Sequence, residues 1–253
     1  MFLKIKSFTF VFFCAFCVSC QACISTPWEV PQHQATIASP LNAEWWQKTQ
    51  ERVNKDVATN KVDLLFVGDS ITHWFRKMEW HNEKTCGMNV WRDYYAKRNA
   101  VNTGIMADKT QHVLWRLKNG NLKDIQPKLA VVLIGTNNIS HKETPLQTAE
   151  GIRAIIECLH EKSPKTKVLL LAIFPRGKVI EDKGRLQNDK VNKIISGYDE
   201  LYPFVSFLDV GKVFLKEDGS VNKDLLHDYL HPNANGYKAW AEAMEPTIKK
   251  LMK

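Results

Sequence analysis

Five short apolar runs, Val62–Gly68, Ala100–Thr103, Leu129–Ile134, Val168–Phe174 and Val205–Val210, alternate along the chain with segments of helical periodicity. A run that is apolar at consecutive rather than alternate positions suits a strand buried on both faces, so helices must cover it on either side. Strand–helix–strand repeats of this kind join parallel strands by crossover connections. The expected fold class is therefore α/β, a three-layer α/β/α sandwich around a five-stranded parallel sheet. One domain over residues 61–253 accommodates it, after an N-terminal extension and helix over 24–60, the helix at Trp45–Val57. Leu146, Ala149, Ile152, Ile156 and Leu159 form one helical face, with Thr144, Pro145 and Gln147 in a capping-box pattern at its start. Val191, Ile194, Ile195, Tyr198 and Leu201 form a second. Tyr237, Trp240, Ala241, Met244, Ile248 and Leu251 form the last, with a kink expected at Pro246.

Working residues of such sheets collect at the carboxyl ends of the strands. The first strand ends in Gly68-Asp69-Ser70-Ile71-Thr72, which places Ser70 at a helix start where free amides favour developing negative charge. Taken alone, Asp69 or Ser70 fits a simple helix cap as well. The second strand ends in Asn102-Thr103-Gly104-Ile105-Met106-Ala107-Asp108, by itself an ordinary turn. The third ends in Gly135-Thr136-Asn137-Asn138, where a side-chain amide can serve as an uncharged oxyanion donor or as turn chemistry. Asp228-Tyr229-Leu230-His231-Pro232 precedes the last helix. An acid three residues before a histidine can accept its Nδ1–H and leave Nε2 for a nucleophile. Together the four loops supply a nucleophile, oxyanion donors and a base with an orienting acid.

Gly-Asp-Ser, Gly-x-Asn after the third strand and Asp-x-x-His before the last helix resemble the GDSL/SGNH hydrolase superfamily. Within it, Thr110–Leu117, Gly135–Asn138, Phe174–Gly177 and Tyr229–Pro232 resemble the platelet-activating-factor acetylhydrolase-like branch. The resemblance runs from about Asp63 to the C-terminus. It implies a flavodoxin-like SGNH hydrolase fold and a metal-independent esterase without cofactor. It also implies roles: Ser70 as nucleophile, His231 as base and Asp228 as its orienting acid. The amides of Ser70 and Ala107 with the Asn137 side chain would form the oxyanion hole, supported by Asp69, Gly104 and Asn138. Members usually carry Gly-x-Gly-Gly-Asp where this chain has Gly104-Ile105-Met106-Ala107-Asp108, so Ala107 stands at a donor position where glycine is usual. If that residue needs a positive φ, alanine is strained there and glycine is not. No Gly-x-Ser-x-Gly elbow occurs.

Residues 1–23 differ in kind. Lys4 and Lys6 precede an apolar run from Phe8 to Val18 and then small residues, the order of a secretory signal. Its removal takes two lysines and no acid, lowering the net charge from +8 to +6. The remaining lysines are scattered without interleaved aromatics, so no nucleic-acid partner is expected. Cys14, Cys17, Cys20 and Cys23 crowd the signal, and lipid attachment at Cys20, with membrane association, is an alternative to a cleaved soluble form. Cys86 and Cys158 remain in the body as a pair or as two buried thiols.

The expected function is a secreted serine esterase cleaving short-chain, acetyl esters of small molecules or polysaccharides. The alternatives are a phospholipid or lysophospholipid acyl hydrolase, and a glycan- or lipid-binding surface module without catalysis. Trp45, Trp46, Trp74, Trp80 and Trp91 suit either the core or the cleft.

Overall fold

A computed structural model describes residues 30–76 and 84–253. The expected signal over 1–23, its cysteines and Trp80 lie outside the described residues. Five parallel strands, β1 (Leu64–Gly68), β2 (Ala100–Asn102), β3 (Leu129–Leu133), β4 (Lys167–Leu171) and β5 (Val205–Leu208), form one sheet in the order β2-β1-β3-β4-β5. The helices are α1 (Glu44–Thr59), α2 (Ser70–His73), α3 (Met88–Tyr94), α4 (Thr110–Arg116), α5 (Thr136–Ser140), α6 (Pro145–Lys162), α7 (Lys183–Ile195), α8 (Tyr198–Leu201) and α9 (Ala234–Leu251).

Alternate strand residues feed the two faces, as a period of two requires. Leu65, Val67, Ala130, Val132, Val168 and Leu170 pack with Val57 of α1, Val113 and Leu114 of α4, Ile152 and Ile156 of α6 and Val191 of α7. Leu64, Phe66, Val131, Leu133, Leu169 and Leu171 pack on the other face with Val90 of α3 and Tyr237, Trp240 and Met244 of α9. The three expected layers are thus observed. The chain passes from β1 to β2 on one side and returns to β3 on the other. The crevice at the carboxyl ends of β1 and β3 is therefore the switch point at which such sheets bind ligands.

The strands are shorter than their apolar runs. Ala172, Ile173 and Phe174 are buried, but beyond β4 the Ile173 N–H donates to Asn192 Oδ1 at 2.7 Å and its carbonyl accepts from Asn192 Nδ2 at 2.8 Å. A helix side chain replaces the neighbouring strand. The face drawn through Val191 to Leu201 is divided between α7 and α8 at Ser196-Gly197, and Ile194 and Leu201 are exposed, as is Leu146 at the start of α6. The α6 capping box forms: Gln147 N–H donates to Thr144 Oγ1 at 3.2 Å, and Thr144 N–H donates to Gln147 Oε1 at 3.0 Å. α9 runs through Pro246 as one helix. Cys86 and Cys158 are free buried thiols.

Candidate active site

β1 delivers Ser70 to the carboxyl edge as the first residue of α2. Asp69 caps that helix by accepting from Ile71 N–H at 3.0 Å. Gly68 permits the turn, because a Cβ there would lie 2.2 Å from Thr72 Oγ1 and 2.4 Å from the Leu133 carbonyl oxygen. Burial pushes the Asp69 carboxyl up to about 7, against the pull of the Ile71 N–H it accepts. Asp69 thus shapes the turn that presents Ser70 rather than supplying a solvated charge.

The opposite wall is the loop before α9. Asp228 Oδ1 accepts from Leu230 N–H at 3.0 Å and His231 N–H at 2.7 Å, folding the loop about the carboxylate. Tyr229 between them takes φ 63°, and its carbonyl accepts from Gly177 N–H at 3.0 Å. The remaining oxygen, Asp228 Oδ2, lies 2.6 Å from His231 Nδ1, while His231 Nε2 lies 2.9 Å from Ser70 Oγ. An ionised carboxylate selects the tautomer with the proton on Nδ1, leaving Nε2 to accept from the serine hydroxyl. Burial raises the Asp228 carboxyl, but the side-chain and backbone hydrogen bonds from His231 outweigh it and hold the group well below the usual carboxylate range. Trp74 stacks on the imidazole, with ring centroids 4.1 Å apart and planes at 28°.

The loop after β2 carries Ala107 at φ 64°, in the left-handed region that costs an alanine about 1 kcal/mol or more relative to glycine. The loop is held on both sides of it. Met106 N–H donates to His73 Nδ1 at 3.2 Å, and the Asp108 carbonyl accepts from Asn137 Nδ2 at 2.8 Å. Among the described residues no protein acceptor is paired with the N–H of Ser70 or of Ala107. Asn137 retains a second side-chain N–H beyond the one given to Asp108. Gly104 lies against α2, where a Cβ would stand 2.5 Å from the His73 nitrogen. Asn138 points away from this cluster: its Oδ1 accepts from Thr110 N–H at 3.0 Å and its Nδ2 donates to Glu143 Oε2 at 2.7 Å. It ties the start of α4 to the loop before α6.

Three groups carried no assigned role in the sequence. Fully buried Arg116 donates to Asp108 Oδ2 at 2.7 Å and to the carbonyls of Thr103 at 2.6 Å and Gly68 at 3.3 Å, beneath the ends of β1 and β2. Trp46 Nε1 donates to the other Asp108 oxygen at 2.6 Å. Arg176 donates to Thr136 Oγ1 at 3.1 Å and Ser140 Oγ at 2.8 Å, and lines a cavity of about 420 Å³ with Lys178, Val179, Asp228 and Tyr229. In the sequence Trp74, which stacks on His231, and Trp46 stand out only as tryptophans suited to core or cleft, and Arg116 only as part of the Thr110–Leu117 run that carries the resemblance; none of these signals gives the residue its role.

Residues 66–239 match the GDSL-like Lipase/Acylhydrolase family. The platelet-activating factor acetylhydrolase IB subunit alpha1 of Rattus norvegicus is 33% identical over 210 residues, covering 82% of this chain and 84% of the relative. Among solved structures, a GDSL-like lipase from Bacteroides thetaiotaomicron superposes with a TM-score of 0.63 at 19% identity, covering 80% of this chain and 97% of that one. An acetyl xylan esterase from Geobacillus stearothermophilus does so at 0.57 and 18% identity, covering 77% and 94%. At those identities the two structures speak for the fold, while the family match and the 33% relative speak for descent. The chain belongs to the GDSL-like lipase/acylhydrolase family and is a serine ester hydrolase.

Proposed function

We propose that the protein is an exported esterase that removes short acyl groups, acetyl foremost, from small-molecule or polysaccharide esters through an acyl-enzyme on Ser70. The observation that carries this reading is the continuous chain Ser70 Oγ–His231 Nε2–Asp228, at 2.9 and 2.6 Å. Ser70 Oγ attacks the ester carbonyl as its proton passes to His231 Nε2, and Asp228 holds the resulting imidazolium in place. The carbonyl oxygen gains negative charge where the N–H groups of Ser70, Ala107 and the Asn137 side chain can meet it. Collapse expels the alcohol, which takes the proton from His231. Water, deprotonated by the same imidazole, then releases the acid and restores Ser70.

The acetyl preference is supported by the name of the 33% identical relative, an acetylhydrolase. Export is supported by the basic, apolar and small-residue order of residues 1–23. A second reading, acyl hydrolysis of a phospholipid or lysophospholipid, is favoured by the platelet-activating factor named for the mammalian relative. A panel of nitrophenyl esters of rising chain length, acetylated polysaccharides and short-chain phospholipids separates the two. Fluorophosphonate labelling of folded protein should fall on Ser70 and vanish in Ser70→Ala; labelling elsewhere, or none, would remove the acyl-enzyme. The same intact set makes a non-catalytic binding module the weaker reading.

A further inference from the structure

Trp46 sits on α1, before the span 66–239 over which the family match runs. Its ring is fully buried against Trp115, with centroids 5.7 Å apart, and beside Val53 and Ile105. Packing alone would explain a phenylalanine there. The indole also places its N–H 2.6 Å from Asp108 Oδ1, while Arg116 Nε holds Oδ2 at 2.7 Å. Both oxygens of a carboxylate with no solvent exposure are thereby committed. A buried carboxylate missing one donor would turn or move to recover a partner, because an unsatisfied buried oxygen is costly.

Asp108 is the residue after Ala107. Its side chain is fixed by Trp46 and Arg116, its carbonyl by Asn137, and its N–H donates to the Ile105 carbonyl at 3.3 Å. Ala107 lies in a backbone conformation that alanine does not favour, at φ 64°. Something outside the loop must therefore hold it there. Arg116 itself spans the Gly68 and Thr103 carbonyls and Asn121, so it anchors the carboxylate to the sheet end. Trp46 closes the remaining side.

We propose that Trp46 is a positioning residue for ester hydrolysis: its indole N–H, acting through Asp108, sets the direction of the Ala107 N–H toward the oxyanion. The inference rests on the reading of Ala107 as an oxyanion donor. It gives α1 a part in turnover that packing does not require, and it sends the contribution through a carboxylate that never meets substrate. Loss of one aligned oxyanion donor costs on the order of 10²–10³ in kcat. A donor that is tilted rather than removed should cost about tenfold.

The test compares wild type with Trp46→Phe and with a chain carrying benzothienylalanine at position 46, which keeps the bicyclic shape and replaces only the N–H by sulfur. Hydrolysis of nitrophenyl acetate and of the matching thionoester is measured, with melting temperatures. A thiocarbonyl sulfur gains little from oxyanion donors, so the oxygen-ester to thionoester rate ratio reports the alignment of the hole and not the fraction folded. We expect both variants to lower kcat for the oxygen ester about tenfold, with KM within twofold. The rate ratio should fall by a similar factor, and the benzothienyl chain should melt within a few degrees of wild type. An unchanged ratio in the benzothienyl chain overturns the proposal, whatever happens to Trp46→Phe. Absence of ester hydrolysis by the wild type would instead remove the proposed substrate class, a result distinguishable from the first.

Discussion

At Ser70 the chemistry turns on where one proton can go. A serine hydroxyl is a weak nucleophile until a neutral imidazole stands ready to accept its proton, and the 2.9 Å contact with His231 Nε2 supplies that acceptor. Ser70→Ala and His231→Ala should each lower kcat by about 10³–10⁶, and the double variant should be no worse than the poorer single one, because the groups act as a unit. Steady-state rates on nitrophenyl acetate decide this. Asn137→Ala should cost at least about 10² in kcat, and it also frees the Asp108 carbonyl that Asn137 holds. Ala107→Gly relieves the positive φ and should raise unfolding free energy by about 1 kcal/mol, read from urea midpoints at constant m-value.

At the scale of elements, the site exists because loops from separate strands come within van der Waals distance of each other. Gly104 lets the loop after β2 lie on α2; a Cβ there would stand 2.5 Å from the His73 nitrogen and 2.8 Å from Thr72 Cβ. Gly104→Ala should therefore destabilise by about 1–3 kcal/mol through forced backbone shifts. It should also lower kcat more than it raises KM, since Ser70 and Ala107 would move apart. The capping box on α6 is local and lies at that helix's exposed start, so Thr144→Ala should cost only about 1 kcal/mol in chemical denaturation and leave turnover unchanged. The contrast tests whether the site depends on contacts between elements more than on the stability of any one helix.

For the whole molecule, pH couples buried carboxylates to folding. Asp69 is raised by burial to about 7 in the folded protein, from an ordinary value near 4. The folded state therefore binds this proton more tightly than the unfolded state, and the contribution of Asp69 to stability falls as pH rises from about 4 through about 7. Asp228 has the opposite sign: its carboxyl is depressed, so its contribution is present above pH 4 and is lost on strong acidification. Between pH 5 and 8 the Asp69 effect operates alone of the two. Wild type should lose about 2 kcal/mol relative to Asp69→Asn over that interval. Urea unfolding of both proteins at the two pH values measures it, and parallel curves would show that Asp69 does not carry the proton.

What could be read along the chain was whatever depends on near neighbours. Consecutive apolar positions announced strands buried on both faces, Thr144-Pro145-x-Gln147 announced a capped helix, and Asp228-x-x-His231 announced a carboxylate within reach of an imidazole; all three rest on spacing within one element or loop. The grouping of Ser70, Asn137 and His231 followed from the rule that loops of a parallel sheet gather at one edge, helped by a family pattern. Long-range pairing had no such signal. Trp46 and Asp108 are separated by 62 residues, and Asn192 finishes the backbone of β4 from 19 residues away. Nothing in the local composition of either partner specifies the other. Ile194 is exposed beside the buried Val191 and Ile195 of α7, and Leu201 is exposed at the end of α8 beyond the break at Ser196-Gly197, outcomes of packing that an apolar periodicity cannot register. Partners joined across the fold are chosen by the shape and hydrogen-bonding demands of the closed core, and those demands arise only once the layers have met.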